Sequence, residues 1–309
     1  MDASELLLGI GLIAVSALNS FTVIYLVHQR KNSSVTREHL EEDEEGDTDE
    51  EEGQPEASPG TERPTTKTGI LAWRQSIIED LERERGTKVI TMIHKKELWT
   101  EPGEDSEIGI EDTVKVLMEF QKTPKDKPID MIIHTPGGYA VAAQMMAMAI
   151  KFHPAKVTVM VPFYAMSGGS LMSLAAGEIR MEKYSVLGPV DPQIPTPGGG
   201  MHPAGALATL MKTKPIQTIS DKMVILAETG NLEVENAKAF VMWLLEGKMD
   251  KQQAESVADF LARGYMSHAT PITLDVARSL GLNVVEGVPD KVYELFKTFA
   301  FTGQSYKGH

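Results

Sequence analysis

Two short glycine turns, each set between an apolar run and a helical run, constrain this sequence more than any other feature in it. The first is His134-Thr135-Pro136-Gly137-Gly138, which follows the apolar run Ile129–His134 (IDMIIH). The second is Ala165-Met166-Ser167-Gly168-Gly169-Ser170, which follows an apolar run over 156–161. Near-continuous apolar runs of this length predict strands covered on both faces, as in a parallel sheet. The pattern after each turn changes to helical spacing, over 139–152 and from Ser167 through Ala176. Strand–turn–helix units in series imply right-handed crossovers and an α/β fold with a mainly parallel sheet.

In such a sheet the turns lie beyond the C-terminal ends of the strands, where ligand sites form. Consecutive glycines let backbone N–H groups face a ligand with no Cβ in the way. The helix start adds unpaired donors and the positive end of the helix dipole. Two turns side by side make an oxyanion hole with a hydroxyl, Ser167, at its lip. The same residues also suit a chain that merely starts two helices there, with Ser167 as a cap. Met166 precedes Ser167, so this is not a G-x-S-x-G elbow. No Gly-Lys-Ser/Thr follows either turn, which argues against phosphate binding.

The rest of the chain frames this unit. Ile70, Trp73, Ile77, Ile78 and Leu81 recur at helical spacing up to about Arg85, and Gly86 stops that helix. A strand is expected over 88–94, a helix over 109–121, and short strands over 178–181 and 184–187. Beyond Gly200 the pattern is mostly helical, with Thr270-Pro271 as a helix start and Gly281 as a stop. Pro195 to Gly200 (PTPGGG) predicts a flexible lid or a linker.

Residues 6–27 carry no charge and are long enough, at 22 residues, to cross a hydrocarbon layer of about 30 Å. The flank His28-Gln29-Arg30-Lys31 is basic and the start is acidic, which predicts a retained single-pass anchor with the main domain in the cytoplasm. The expected organisation is a membrane anchor over 1–31, a disordered acidic linker over 32–68, and a catalytic domain over 69–309. The run from Glu41 to Glu52 holds ten carboxylates, which leaves only about −4 on the remainder of a chain of net charge −14. No basic face for nucleic acid follows from that balance. Cysteine is absent, which excludes a thiol nucleophile and cysteine-ligated metal. The histidines at 94, 134, 153, 202 and 268 show no ligand spacing, and no cofactor is implied. Met145, Met146 and Met148 sit among alanines and predict core or subunit contact.

The stretch from about Lys88 to Asn283 resembles the Clp/crotonase superfamily of peptidases. It is most similar to the serine dehydrogenase proteinase family, a relative of signal peptide peptidase SppA and of ClpP. The residues that carry the resemblance are His134-Thr-Pro-Gly-Gly138, Met166-Ser-Gly-Gly-Ser170 and Leu187-Gly-Pro-Val-Asp-Pro-Gln193. Ser267-His-Ala-Thr-Pro-Ile272 and Leu280-Gly-Leu282 add to it. The resemblance implies Ser167 as nucleophile, with the N–H groups of Gly138, Gly137 and Gly168 as the oxyanion hole. It implies ATP-independent hydrolysis of extended peptides and assembly into a homo-oligomer.

The general base is less constrained. The histidine that ClpP carries downstream of its serine has no counterpart in Gly188-Pro-Val-Asp191-Pro192. SppA-type relatives use a downstream lysine instead, and this chain offers Lys212, Lys214 and Lys222. Lys214 is the expected base, provided that burial near Met211 lowers its pKa. Asp191 either orients that lysine or serves as a turn residue, and His268 is an alternative base. Two other readings stay open: a crotonase-like acyl-CoA enzyme, and an inactive membrane scaffold with the same fold.

Overall fold

Five strands, all paired in parallel, form the central sheet in the order β1-β2-β3-β5-β10. They are β1 (Lys88–Ile93), β2 (Ile129–His134), β3 (Val157–Val161), β5 (Glu178–Met181) and β10 (Val284–Glu286). A computed structural model of the protein describes residues 64, 66–95, 107–196 and 199–299. Those from Thr66 onward belong to one compact unit.

Side chains alternate across the sheet as a two-residue period requires. On one face Ile132 of β2 and Met160 of β3 pack with Ile77 and Leu81 of α1 (Lys67–Arg85). Val292, Leu295 and Phe296 of α9 (Asp290–Phe296) complete that layer. On the other face Met131, Ile133, Val159 and Val161 meet α3 (Ala140–Phe152), α4 (Gly168–Ala175) and the last turns of α6 (Asp221–Leu245). Both faces are covered, which is why β2 and β3 read as unbroken apolar runs. Inside β2 the charged Asp130, 1 % exposed, is held by Arg85 and by the Thr87 hydroxyl at 2.8 Å.

A second, three-stranded sheet positions the site. β4 (Tyr164–Ala165) pairs in parallel with β6 (Val186–Leu187), and β6 pairs antiparallel with β9 (Ile272–Thr273). β4 was not evident in the sequence, because two residues are too few to show a period. The predicted helix start at Thr270-Pro271 is corrected: β9 comes first, and α8 (Leu274–Ser279) begins with the Thr273 hydroxyl as its N-cap. Around the expected lid, β7 (Gln193–Pro195) and β8 (Met201–Pro203) form an antiparallel ladder. The remaining elements are α2 (Ile110–Lys122), α5 (Ala204–Thr213), a 3-10 turn (Ile216–Thr218) and α7 (Lys251–Ala262).

The single-pass membrane placement expected from the sequence is corrected. Among the described residues no helix is long and apolar enough to cross a membrane. Residues 6–27 lie outside the described residues, as does most of the acidic segment. The end of that segment already belongs to α1, whose N-cap is Thr66.

His134 closes β2, 5 % exposed, among the rings of Tyr164, Phe163 and Phe296. Burial, aided by the charges of Lys95 and His94, pushes its pKa down to about 4. An unfolded histidine takes its proton near pH 6.5, whereas folded His134 resists until about pH 4, so the fold loses stability as pH falls through that window. The loss is about 3 kcal/mol between pH 7 and pH 4. Urea unfolding across that range should show it, and His134→Phe should remove most of it. An unchanged acid limb in His134→Phe would assign the loss to other groups.

Candidate active site

Ser167 is the one non-glycine residue with positive φ among the described residues, at φ 50°, ψ −112°. A side chain in so sparse a region stores roughly 1–3 kcal/mol and persists only when the surroundings force it. Here the forcing is visible on both sides. Thr135 and Ala165 form a bridge, with the Thr135 N–H donating to Tyr164 O at 3.2 Å and the Met166 N–H donating to Thr135 O at 2.9 Å. On the far side the Gly169 N–H donates to Met166 O at 2.8 Å, and the Leu171 N–H to Ser167 O at 3.2 Å. The chain must therefore reverse at Ser167 to pass from β4 into α4, and its side chain stays partly exposed at the turn.

The two glycine turns touch. A Cβ on Gly137 (φ 111°) would lie 2.7 Å from the Ser167 Cβ and 3.3 Å from its hydroxyl. A Cβ on Gly138 (φ 149°) would lie 2.4 Å from Ile108 O. That approach is a bridge between Ile108 and Gly138: the Ile108 N–H donates to Gly137 O at 2.7 Å, and the Tyr139 N–H to Ile108 O at 2.9 Å.

The three expected oxyanion donors separate in this geometry. The Gly137 N–H is buried and donates to Thr135 Oγ1 at 3.1 Å, so it is spent inside its own turn. Among the described residues, no hydrogen bond takes the N–H of Gly138 or of Gly168. Gly138 is exposed, and Gly168 opens α4 directly after Ser167.

Ser170, the other hydroxyl of the second turn, is 2 % exposed and fully engaged. It donates to Ala165 O at 2.8 Å and accepts from the Gly188 N–H at 2.8 Å. It ties the Ser167 turn to the loop after β6.

Lys214 does not meet the condition set for it. It is the C-cap of α5 and exposed, as are Lys212 and Lys222.

Asp191 and His268, by contrast, come together. Asp191 is 2 % exposed; its Oδ1 lies 2.7 Å from His268 Nδ1, and its Oδ2 accepts from Gln193 Nε2 at 2.7 Å. A carboxylate only accepts, so Nδ1 of the neutral ring carries the proton and Nε2 keeps a free lone pair. The ring is about one-third exposed. The second sheet explains the meeting. Ala165 pairs with Leu187, and Leu187 with Ile272. Ser167 follows Ala165 by two positions, Asp191 follows Leu187 by four, and His268 precedes Ile272 by four. With these strand directions, all three leave the same end of that sheet. Both residues stand in the motifs at 187–193 and 267–272, but their separation along the chain hides the pairing.

The strained serine stands at the start of a helix, beside two N–H groups that have no hydrogen bond among the described residues. The chain belongs to the ClpP-like SDH-type serine proteinase family. The model of that family matches residues 63–305. Among curated proteins, two from Methanocaldococcus jannaschii are similar to it. Uncharacterized protein MJ1495 is 42 % identical over 228 residues, covering 73 % of this chain and 76 % of its own length. Uncharacterized protein MJ0137 is 41 % identical over 229 residues, covering 73 % and 78 %. Among solved structures, the membrane-bound stomatin-specific protease 1510-N in complex with a substrate peptide aligns at 16 % identity and TM-score 0.41, covering 64 % of this chain and 81 % of its own. ClpP1 from Listeria monocytogenes aligns at 16 % identity and TM-score 0.39, covering 68 % and 96 %.

Gly137→Ala should separate this geometry from a plain helix start. The added methyl meets the Ser167 Cβ and a backbone angle that L-residues avoid. Labelling of Ser167 by a fluorophosphonate, mapped by mass spectrometry, should fall at least tenfold if the methyl displaces the serine from an oxyanion-hole geometry. Labelling at the normal rate would mean that the turns do not form one site.

Proposed function

We propose that the protein hydrolyses peptide bonds through a Ser167 acyl-enzyme. The observation that carries this is the positive φ of Ser167 at a turn whose neighbours leave the Gly138 and Gly168 N–H groups unbonded. In the reaction the Ser167 Oγ attacks the scissile carbonyl carbon. The carbonyl oxygen becomes an oxyanion between the Gly138 and Gly168 N–H groups, which replace water as its donors. The amine leaves with a proton from the base, and water then releases the acyl group by the same steps in reverse roles. No nucleotide is consumed. Extended peptides are the substrate class, because an extended chain can pair its backbone with the exposed turn at Gly138. The active form is a homo-oligomer.

For the base, the geometry favours His268 held by Asp191 over Lys214. The carboxylate fixes the tautomer that leaves Nε2 able to accept a proton, and steadies the imidazolium formed when it does. Lys214 is an exposed side chain at the C-cap of α5. His268, Asp191 and Ser167 also share one end of the β4-β6-β9 sheet.

Hydrolysis of fluorogenic peptides by the full chain is the test. Ser167→Ala should abolish turnover. His268→Gln should lower kcat by a factor of about 10² or more, since members of one catalytic unit fail together. Lys214→Met should stay within about threefold of wild type, as an exposed side chain away from the chemistry should. A dead Lys214→Met beside an active His268→Gln would reverse the assignment of the base. Full turnover in Ser167→Ala would refute the mechanism. A wild-type protein that neither hydrolyses peptides nor reacts at Ser167 would support the inactive scaffold instead.

A further inference from the structure

The first turn is held by a chain of polar groups, buried at Thr135 and at the His94 ring, that runs to the start of α2. Thr135 is fully buried and its Oγ1 accepts the Gly137 N–H at 3.1 Å. The same Oγ1 lies 2.7 Å from Nδ1 of His94, whose side chain is 6 % exposed. Nε2 of His94 lies 3.2 Å from Asp112 Oδ2, which also accepts the Gly109 N–H at 2.9 Å. Burial alone would raise the Asp112 pKa; the hydrogen bonds from His94 and the Gly109 N–H outweigh it and hold the carboxyl below its ordinary value.

The ionised carboxylate decides the direction of every bond. It only accepts, so a neutral His94 ring carries its proton on Nε2 and its Nδ1 accepts. The Thr135 hydroxyl therefore donates to His94 and keeps its lone pair for the Gly137 N–H. All donors point one way, from Gly137 through Thr135 and His94 to Asp112. At the other end, Gly109 directly follows Ile108, the residue that grips Gly137 O at 2.7 Å. A peptide unit is planar and trans, so fixing Gly137 O on Ile108 aims the Gly138 N–H the opposite way. Thr135 fixes the peptide before Gly137, and Ile108 fixes the one after it.

We infer that Asp112, His94 and Thr135 are positioning residues of the oxyanion hole, which aim the Gly138 N–H by locking the Gly137 N–H into its own turn. The inference rests on the peptidase mechanism proposed above. None of the three touches substrate. Their effect belongs to the transition state, because a donor aimed at the oxyanion contributes little to binding of the ground-state peptide.

Thr135→Val keeps the γ-methyl that packs near Gly169 and deletes only the hydroxyl; Thr135→Ser keeps the hydroxyl. Fluorogenic-peptide kinetics on the full chain should give Thr135→Val a kcat about 10- to 100-fold below wild type with KM unchanged. Thr135→Ser should recover to within about threefold, and His94→Phe should behave like Thr135→Val. By NMR, amide exchange at Gly137 should be slow in wild type and Thr135→Ser and at least tenfold faster in Thr135→Val. A wild-type kcat in Thr135→Val would overturn the inference. So would equal losses in Thr135→Ser and Thr135→Val, which would mark a packing role. Ser167→Ala in the same assay separates the two layers. If wild type exceeds it and Thr135→Val equals wild type, only the positioning role fails. If wild type does not exceed it, the peptidase mechanism fails and takes this inference with it.

Discussion

The bridge between Thr135 and Ala165 is the constraint from which the site follows. It is a short pairing, two hydrogen bonds at 3.2 and 2.9 Å, yet it lashes the turn after β2 to the strand before Ser167. Once these are tied, β4 cannot run on in the direction of β3, and the chain has one residue in which to turn into α4. That residue is Ser167, and its unusual backbone angles are the result. Glycine at 137 is then obligatory, because the two turns approach within the radius of a methyl group. Among the described residues the N–H groups of Gly138, which is exposed, and of Gly168, which is buried, are left without partners.

Around this junction the polar groups are divided between holding and reacting. Ser170, Thr135 and His94 have their side-chain polar atoms engaged by neighbours, and Asp112 Oδ2 is held by His94 and the Gly109 N–H. Ser167 is the hydroxyl of the turn whose side chain stays partly exposed. Buried polar groups are costly unless satisfied, so the satisfied ones define a rigid frame and the unsatisfied donors mark where a ligand is expected. The Asp191–His268 pair belongs to both groups, since one ring nitrogen is fixed and the other is left available.

The apolar runs of β2 and β3, the two glycine turns and the helices after them were legible because each is local: period, run length and turn residues act within a dozen positions. The family resemblance rests on the two glycine turns and on the later motifs at 187–193, 267–272 and 280–282, and the family match over residues 63–305 agrees with it. The helix expected at Thr270-Pro271 failed because β9 pairs with β6, a partner far along the chain that overrides the local start signal. Spacing along the chain offers Lys214 as a base, but burial is a property of the surroundings rather than of spacing, and Lys214 is exposed. Single-pass membrane placement rests on an uncharged run and its charged flanks, and no helix of the described residues bears it out.

By itself the sequence determined the class of fold, the side of the sheet on which a site forms, and Ser167 as the candidate hydroxyl. Each is encoded in neighbouring residues. Tertiary structure alone decided which donors are free, because Gly137 and Gly138 are adjacent glycines whose fates differ through Thr135 and Ile108. It also decided that His268 meets Asp191 and that His94 supports Thr135. Those pairings join residues dozens of positions apart, and only the packing of strands fixes which of many polar side chains end within 3 Å of one another.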